Sequence, residues 1–224
     1  MDSADRGRFI SLEGGEGAGK STQVRLLCAK LREAGCTVAQ TREPGGTPGA
    51  EAIRDLLVTG DGDRWDAMTE ALLHFAARRD HVEKLIRPAL DAGDWVVSDR
   101  FADSTMAYQG YAQRLGKETV DELGHLAIQD FKPDLTIILD LSPEDGLARV
   151  DERHAGKTEG VVEDRYERMG HDFHKCLRDA FLDIASREPD RCVVVDARGT
   201  PEAVASSIWE QVTRRFAKEL RIAA

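Results

Sequence analysis

Short apolar runs alternate with longer amphipathic stretches along the whole chain. Residues 8–13, 36–41, 95–98, 135–139 and 192–195 read as strands. The last three are nearly unbroken apolar runs, as parallel strands covered on both faces require. Apolar positions at helical spacing predict helices over 22–33, 48–57, 66–91, 117–129, 143–153, 164–187 and 201–219. Ser142-Pro143 and Thr200-Pro201 open two of them, with proline free to take the first helical position. Alternating β and α elements imply an α/β fold: a parallel sheet with right-handed crossovers, flanked by helices, with ligands at the strands' C-terminal ends. No internal repeat or long linker divides the chain, so residues 1–224 read as one domain. Residues 153–162 are polar and glycine-containing and join two helices; they suit a surface loop or a mobile lid.

A length of 224 residues is enough to bury a full core without disulfides. Lysine plus arginine number 31 against 41 aspartate plus glutamate, giving a net charge of −10. That balance argues against nucleic acid or an anionic membrane as the main partner, while leaving room for a small anion held by a local arginine cluster. No apolar stretch has the length of a membrane span, and the first eight residues are polar, without the core of a signal peptide. They are expected to be disordered. Cys28, Cys36, Cys176 and Cys192 are widely spaced with no C-x-x-C pair, which suits reduced thiols in the cytoplasm.

Gly14-Gly15-Glu16-Gly17-Ala18-Gly19-Lys20-Ser21 matches G-x-x-x-x-G-K-[ST] in full, between a predicted strand and a predicted helix. In that context the backbone N–H groups and the helix N-terminus surround phosphates. Lys20 reaches the β/γ oxygens, and the Ser21 hydroxyl is placed to ligate Mg²⁺. These residues, with Thr22 following, point to a nucleoside triphosphate site. Trp95 to Ser98 is an apolar strand that leads into Asp99 and Arg100. Asp99 thus stands at the sheet's C-terminal edge, where a carboxylate organises Mg²⁺ or its waters. Arg100 suits a second phosphate group held bidentately; the plainer reading of the pair is a surface ion pair. No base-reading N-K-x-D of the GTPase type is present. A small-molecule kinase fits better than a GTPase or a nucleic-acid motor.

The set Glu13-Gly14 to Gly19-Lys20-Ser21-Thr22, Arg42-Glu43-Pro44-Gly45-Gly46-Thr47, Ala76-Ala77-Arg78, Asp99-Arg100-Phe101 and Ser104-Thr105-x-Ala107-Tyr108-Gln109-Gly110 resembles thymidylate kinases. The resemblance is collinear from about residue 9 to about residue 212 and is carried mainly by the second and last blocks. It implies a three-layer P-loop fold on a five-stranded parallel sheet, transfer of the γ-phosphoryl group of ATP to dTMP with Mg²⁺, service to dTTP synthesis, and a homodimer.

Residue by residue, the resemblance makes Arg54 and Arg100 ligands of the acceptor phosphate, with Arg42 adding charge. Arg78 reads thymine O4, Gln109 pairs with N3, and Thr105 lines the floor. Glu43 belongs to the substrate-binding set, Tyr108 packs below the sugar, and Glu16 accepts from the 3′-hydroxyl. Glu13 is expected with Ser21 and Asp99 around Mg²⁺. His74 stands where most members stack a phenylalanine on the base; the alternative is a satisfied core histidine beside Phe75. Glycine at position 17 resembles the bacterial class, which supplies the γ-phosphate cation from a lid at about residues 149–165. Arg149, Arg153 and Lys157 are the candidates, Arg165 lies just beyond, and Arg153 is preferred. Asp164 is a candidate for placing dTMP or the lid, and residues 196–198 lie where adenine is met. Lys20, Asp99, Arg100 and Arg153 form the catalytic set. Two other readings stay open: another P-loop nucleoside or nucleotide kinase, or a nucleotide-binding module without catalysis.

Overall fold

In the computed structural model, which describes residues 6–59, 64–155, 166 and 169–220, neighbouring residues of each strand enter opposite layers. Ile10, Leu12, Val97, Ile137 and Leu139 face one core, while Phe9, Val96 and Ile138 face the other side. This double burial is the reason the strands read as apolar runs rather than as alternating patterns. The strands are β1 (Phe9–Gly14), β2 (Val38–Arg42), β3 (Trp95–Asp99), β4 (Leu135–Asp140) and β5 (Cys192–Asp196). All pair in parallel in the order β2-β3-β1-β4-β5, so the first strand is central.

In chain order the helices are α1 (Lys20–Glu33), α2 (Pro48–Val58), α3 (Ala67–His81), α4 (Arg87–Asp91), α5 (Ala102–Thr105), α6 (Lys117–Ile128), α7 (Pro143–Ala155), α8 (His171–Arg187) and α9 (Pro201–Arg215). A π-helical stretch, Val82–Ile86, runs α3 into α4, and another, Met106–Ala112, extends α5. α1 and α9 cover one face of the sheet through Val24, Leu27, Leu31, Val204, Ile208 and Val212. The other face is covered by α8 and the 106–112 stretch at one end and by the 82–91 segment with Phe101 at the other. Polar caps set the helix starts. Thr47, Asp66 and Thr200 each accept from the N–H three residues on, and Ser142 does the same for Asp145.

Three expectations change. The helix expected from 164 starts at His171 after Gly170, which leaves Tyr166 in a turn. The helical stretch 102–112 follows Arg100 without an amphipathic signature; its π-helical turns break the 3.6-residue period. The N-terminus is fixed earlier than expected. The Gly7 N–H donates to the Leu90 carbonyl at 2.9 Å, Arg8 pairs with Glu219 at 2.7 Å, and a Cβ on Gly7 would meet the Asp94 carbonyl at 1.8 Å. Residues 1–5 lie outside the described residues, as do Lys157, Asp164 and Arg165. Among the described residues, no helix is long and apolar enough to cross a membrane.

Candidate active site

A cleft of about 430 Å³ opens at the C-terminal ends of β1, β2 and β3. Strand order makes it: β1 turns into its helix while β2 and β3 lie on one side and β4 on the other, a topological switch point. The register sets Arg42 and Asp99 side by side on β2 and β3, with Leu12 of β1 beyond Asp99. The cleft's walls come from the glycine loop, the 42–44 turn, α2, α3, the 99–109 segment and α7.

On the loop side, Gly19 caps α1 at φ 88° without a side-chain hydrogen bond, so the cap itself is backbone alone. The first N–H groups of such a helix, with its dipole, suit an anion. Lys20 is buried and donates to the Gly14 and Gly15 carbonyls at 3.1 and 2.7 Å. Burial, with Arg100 nearby, brings its ammonium down to about 8 against the opposing pull of Glu16 and Asp99. The Ser21 hydroxyl donates to Asp99 Oδ2 at 2.6 Å, which joins two of the three predicted metal ligands across the gap between α1 and β3. Gly14 and Ala18 are buried; Gly15 and Gly17 are half-buried. Gly19 and Thr22 are exposed.

Gly17 meets α7 through a second glycine. A Cβ on Gly17 would lie 2.0 Å from the Gly146 carbonyl oxygen, and one on Gly146 would lie 2.4 Å from the Glu16 carbonyl oxygen. Gly17 also sits at φ 70°, a conformation that favours glycine. Backbone-to-backbone contact thus seats the helix carrying Arg149 and Arg153 directly on the loop. Arg149 donates to the Ala197 carbonyl at 3.1 Å, and both arginines line the cleft.

Arg100 crosses the mouth of the cleft. Its backbone is left-handed, φ 70°, held by its own N–H to the Leu12 carbonyl and by Ser98 Oγ donating to its carbonyl. From there the guanidinium donates to Glu16 Oε1 at 2.8 Å, the Tyr108 hydroxyl at 2.9 Å, Ser104 Oγ at 3.0 Å and the Gly14 carbonyl at 3.1 Å. Tyr108 in turn donates to Glu16 at 2.6 Å. Burial alone raises a carboxyl, but Arg100, Lys20 and the Tyr108 hydroxyl outweigh it and hold Glu16 at about 2. Glu16 is therefore a fixed anion, able to accept and unable to give a proton near neutrality.

Glu13 stands elsewhere than expected. It is fully buried, and its two oxygens accept from the Phe101 N–H and Ser104 Oγ, each at 2.6 Å. Burial, with Asp103 nearby, pushes its carboxyl up to about 8. It does not line the cleft; it ties β1 to the start of α5 rather than facing a cation.

The far end of the cleft is a buried hydrogen-bond network. Arg78 is 2% exposed. Its Nε donates to Glu43 Oε2 at 2.7 Å, and its Nη2 to the Phe101 carbonyl at 3.1 Å and Thr105 Oγ1 at 3.0 Å. Its Nη1 is buried with no hydrogen-bond partner. Gln109, 1% exposed, donates through Nε2 to Glu70 Oε2 at 3.1 Å, and its Oε1 is likewise buried without a partner. One donor and one acceptor are thus left over in two side chains lining the same cleft. Buried polar atoms in folded proteins are nearly always paired, and a ligand in the cleft could complete both of these.

Glu43, expected in the substrate-binding set, lines the cleft. Its second oxygen meets His81 Nδ1 at 2.9 Å, and His81 Nε2 meets Thr41 Oγ1 at 2.7 Å. With both oxygens engaged, Glu43 orients Arg78. His74 lines the cleft and is half-buried, whereas Phe75 is buried on the other side, against Gly124. Near the loop, Arg54 donates to the Pro44 carbonyl at 2.7 Å, and Arg42 pairs with Glu51 at 3.0 Å. Arg42, Arg54 and Arg100 give that part of the cleft three guanidinium groups.

The sequence reading assigned no role to Glu70, His81, Ser104, Gly146 or Tyr166. Tyr166 lines the cleft, edge-on to Tyr108 with ring centroids 5.0 Å apart. Glu70, His81 and Ser104 act through partners far off in sequence, Gln109, Glu43 and Glu13, and Gly146 and Tyr166 likewise meet the glycine loop and Tyr108 only across packed interfaces.

The chain is similar over nearly its whole length to known proteins. A family model described as thymidylate kinase matches residues 12–208. A thymidylate kinase of Rhodopseudomonas palustris is 51% identical over 220 residues, covering 98% of this chain and 94% of its own. One from Caulobacter vibrioides is 51% identical over 211 residues, covering 94% and 98%. The crystal structure of a thymidylate kinase from Ehrlichia chaffeensis superposes with a TM-score of 0.74 at 33% identity, covering 92% of this chain and 99% of that one.

Proposed function

This chain belongs to the thymidylate kinase family and phosphorylates dTMP with ATP as the donor, and we propose that its cleft holds ATP on the glycine loop and dTMP between Arg100 and Arg78. The observation that carries this division is the pair of unpartnered buried atoms. Arg78 Nη1 is a donor and Gln109 Oε1 an acceptor. Thymine offers O4 as acceptor beside N3–H as donor, so one base satisfies both. Cytosine, with an amino group at C4 and a bare N3, satisfies neither, and leaving both groups buried and unpaired costs about 1–3 kcal/mol each. His74 lies along the cleft wall and stacks on the base, and Thr105 holds Arg78 in plane.

Arg54, Arg42 and Arg100 hold the acceptor phosphate, offsetting its charge so that one oxygen can approach the γ-phosphorus in line. That oxygen is already an anion at neutral pH, so no general base is needed, which agrees with Glu16 being held as a permanent acceptor for the sugar 3′-hydroxyl. Tyr108 packs beside it, below the sugar. Lys20 and the loop N–H groups take the β- and γ-phosphates, and Arg153, with Arg149 behind it on α7, supplies the cation over the γ-phosphate. Ser21 and Asp99, a hydroxyl and a carboxylate already in contact at 2.6 Å, form the hard-oxygen pair that Mg²⁺ takes alongside substrate phosphates. An ion held by these two residues would supply charge neutralisation to the phosphoryl group being transferred.

We take the chain to act as one kinase domain feeding dTDP to dTTP synthesis in the cytoplasm. Four unpaired cysteines support that compartment. A homodimer is supported by exposed apolar side chains on the paired helices α2 and α3, namely Leu56, Met68 and Leu72.

The test is ADP release with Mg·ATP against dTMP, dUMP, dCMP, dGMP, AMP and thymidine, for wild type and Arg78→Ala. Turnover led by dTMP, with dUMP behind and the lead over dCMP lost in the variant, supports the reading. Thymidine turned over in place of dTMP overturns the roles of Arg54 and Arg100.

A further inference from the structure

A glutamine side chain has two ends of nearly the same shape and opposite hydrogen-bonding character. Which end of Gln109 meets the base depends on what grips the other. Glu70, in the first turn of α3, is fully buried. Its Oε2 accepts from Gln109 Nε2 at 3.1 Å and from Gln113 Nε2 at 2.5 Å, so it draws two amides of the 106–113 segment towards α3. That one oxygen already accepts from both amides, so it offers Gln109 no proton in return. If Gln109 were turned over, its carbonyl oxygen would face the Glu70 oxygen, two acceptors without a proton between them in a buried site. The Tyr166 hydroxyl also accepts from the same Nε2, at 3.4 Å the longer of the two contacts. The direction comes from Glu70.

We propose that Glu70 is a specificity-determining positioning residue: by accepting from Gln109 Nε2 it fixes Gln109 Oε1 as the atom presented to the base, and so makes the pocket a reader of a protonated ring N3. The inference rests on the assignment of Gln109 to the base. It adds the reason that assignment favours thymine, since a freely turning amide would serve N3 of cytosine equally well. Glu70 touches no substrate atom in this account. Its effect is confined to bases that differ at N3, and that separates it from a general buttress between α3 and the 106–113 segment.

The experiment compares kcat/KM for dTMP, dUMP and dCMP in the wild type, Glu70→Gln and Gln109→Leu, with ATP saturating. Glu70→Gln keeps size and shape but offers Gln109 either an oxygen or an NH₂ group, so the amide can turn. The dTMP:dCMP ratio is expected to fall about tenfold or more, mainly through KM, with the dTMP:dUMP ratio unmoved because both bases carry N3–H. A uniform loss on all three nucleotides, with the dTMP:dCMP ratio kept, overturns the proposal and leaves Glu70 a buttress. Gln109→Leu separates the two levels. If it leaves the dTMP:dCMP ratio unchanged, the base contact of Gln109 is wrong. If it lowers the ratio while Glu70→Gln does not, only the role of Glu70 is wrong. Should Glu70→Gln melt below assay temperature, Glu70→Met, which fills the volume without an acceptor, carries the same expectation.

Discussion

The two halves of the cleft are built differently. At the proposed base end, Arg78, Glu43, His81, Thr105, Gln109 and Glu70 are all at most 5% exposed; Arg78 bonds with Glu43 and Thr105, Glu43 with His81, and Gln109 with Glu70, while Arg78 Nη1 and Gln109 Oε1 have no hydrogen-bond partner. At the phosphate end the groups are satisfied by one another: Lys20 by its own loop's carbonyls, Ser21 by Asp99, Arg100 by Glu16 and Tyr108. The base end is a lock cut in advance. The phosphate end has to exchange partners when nucleotides arrive. The contrast follows from what each must do. Discrimination between bases needs buried groups that cannot adapt, whereas phosphoryl transfer needs charges that gather on a moving group.

The sharpest way to break this contrast is at Arg100, the residue that joins the halves. Arg100→Met removes the proposed phosphate ligand and a partner of the Glu16 carboxylate, so kcat is expected to fall about 10³-fold or more in the ADP-release assay. The preference for dTMP over dCMP should survive at whatever rate remains. A loss of preference as large as the loss of rate would mean that the two halves are not separate.

A smaller effect is expected from Gly146→Ala. The added methyl would sit 2.4 Å from the Glu16 carbonyl oxygen, so α7 must move off the loop and carry Arg149 and Arg153 with it. A displacement of that order lowers kcat about 10- to 100-fold with the dTMP:dCMP ratio kept. Activity at the wild-type level would show that the glycine contact does not seat the cations.

The smallest effect concerns pH. Lys20 is held at about 8, below its ordinary value, so it is charged at pH 7 and loses its proton as pH rises through about 8. In the free enzyme, kcat/KM for ATP is then expected to decline above pH 8, about tenfold per further unit. A flat ATP profile to pH 10 would remove Lys20's depressed value from the account.

The two halves also differ in how far the sequence discloses them. The placement of the loop, Asp99 and Arg100 in the cleft is legible because the glycine motif is contiguous and strand ends can be read from apolar runs. The five strands were legible for the same reason, to within two residues at their starts. The base end was named only through resemblance, and its inner wiring was not visible. Glu43 has the residue type of a substrate ligand, and only the packing of α3 on the 42–47 turn turns it towards Arg78 and His81. Glu13 looks like a metal ligand by position, yet burial and two short hydrogen bonds make it a strut. Glu70 lies 39 residues from Gln109, and nothing near either in sequence announces the other.

The most direct measurement is calorimetric titration of dTMP and dCMP into the protein without ATP, for the wild type and Arg78→Ala. A base end cut in advance predicts that dTMP binds at least tenfold tighter than dCMP with no donor nucleotide present, and that Arg78→Ala removes the difference. Equal binding of the two nucleotides, with discrimination appearing only once ATP is added, would contradict the account.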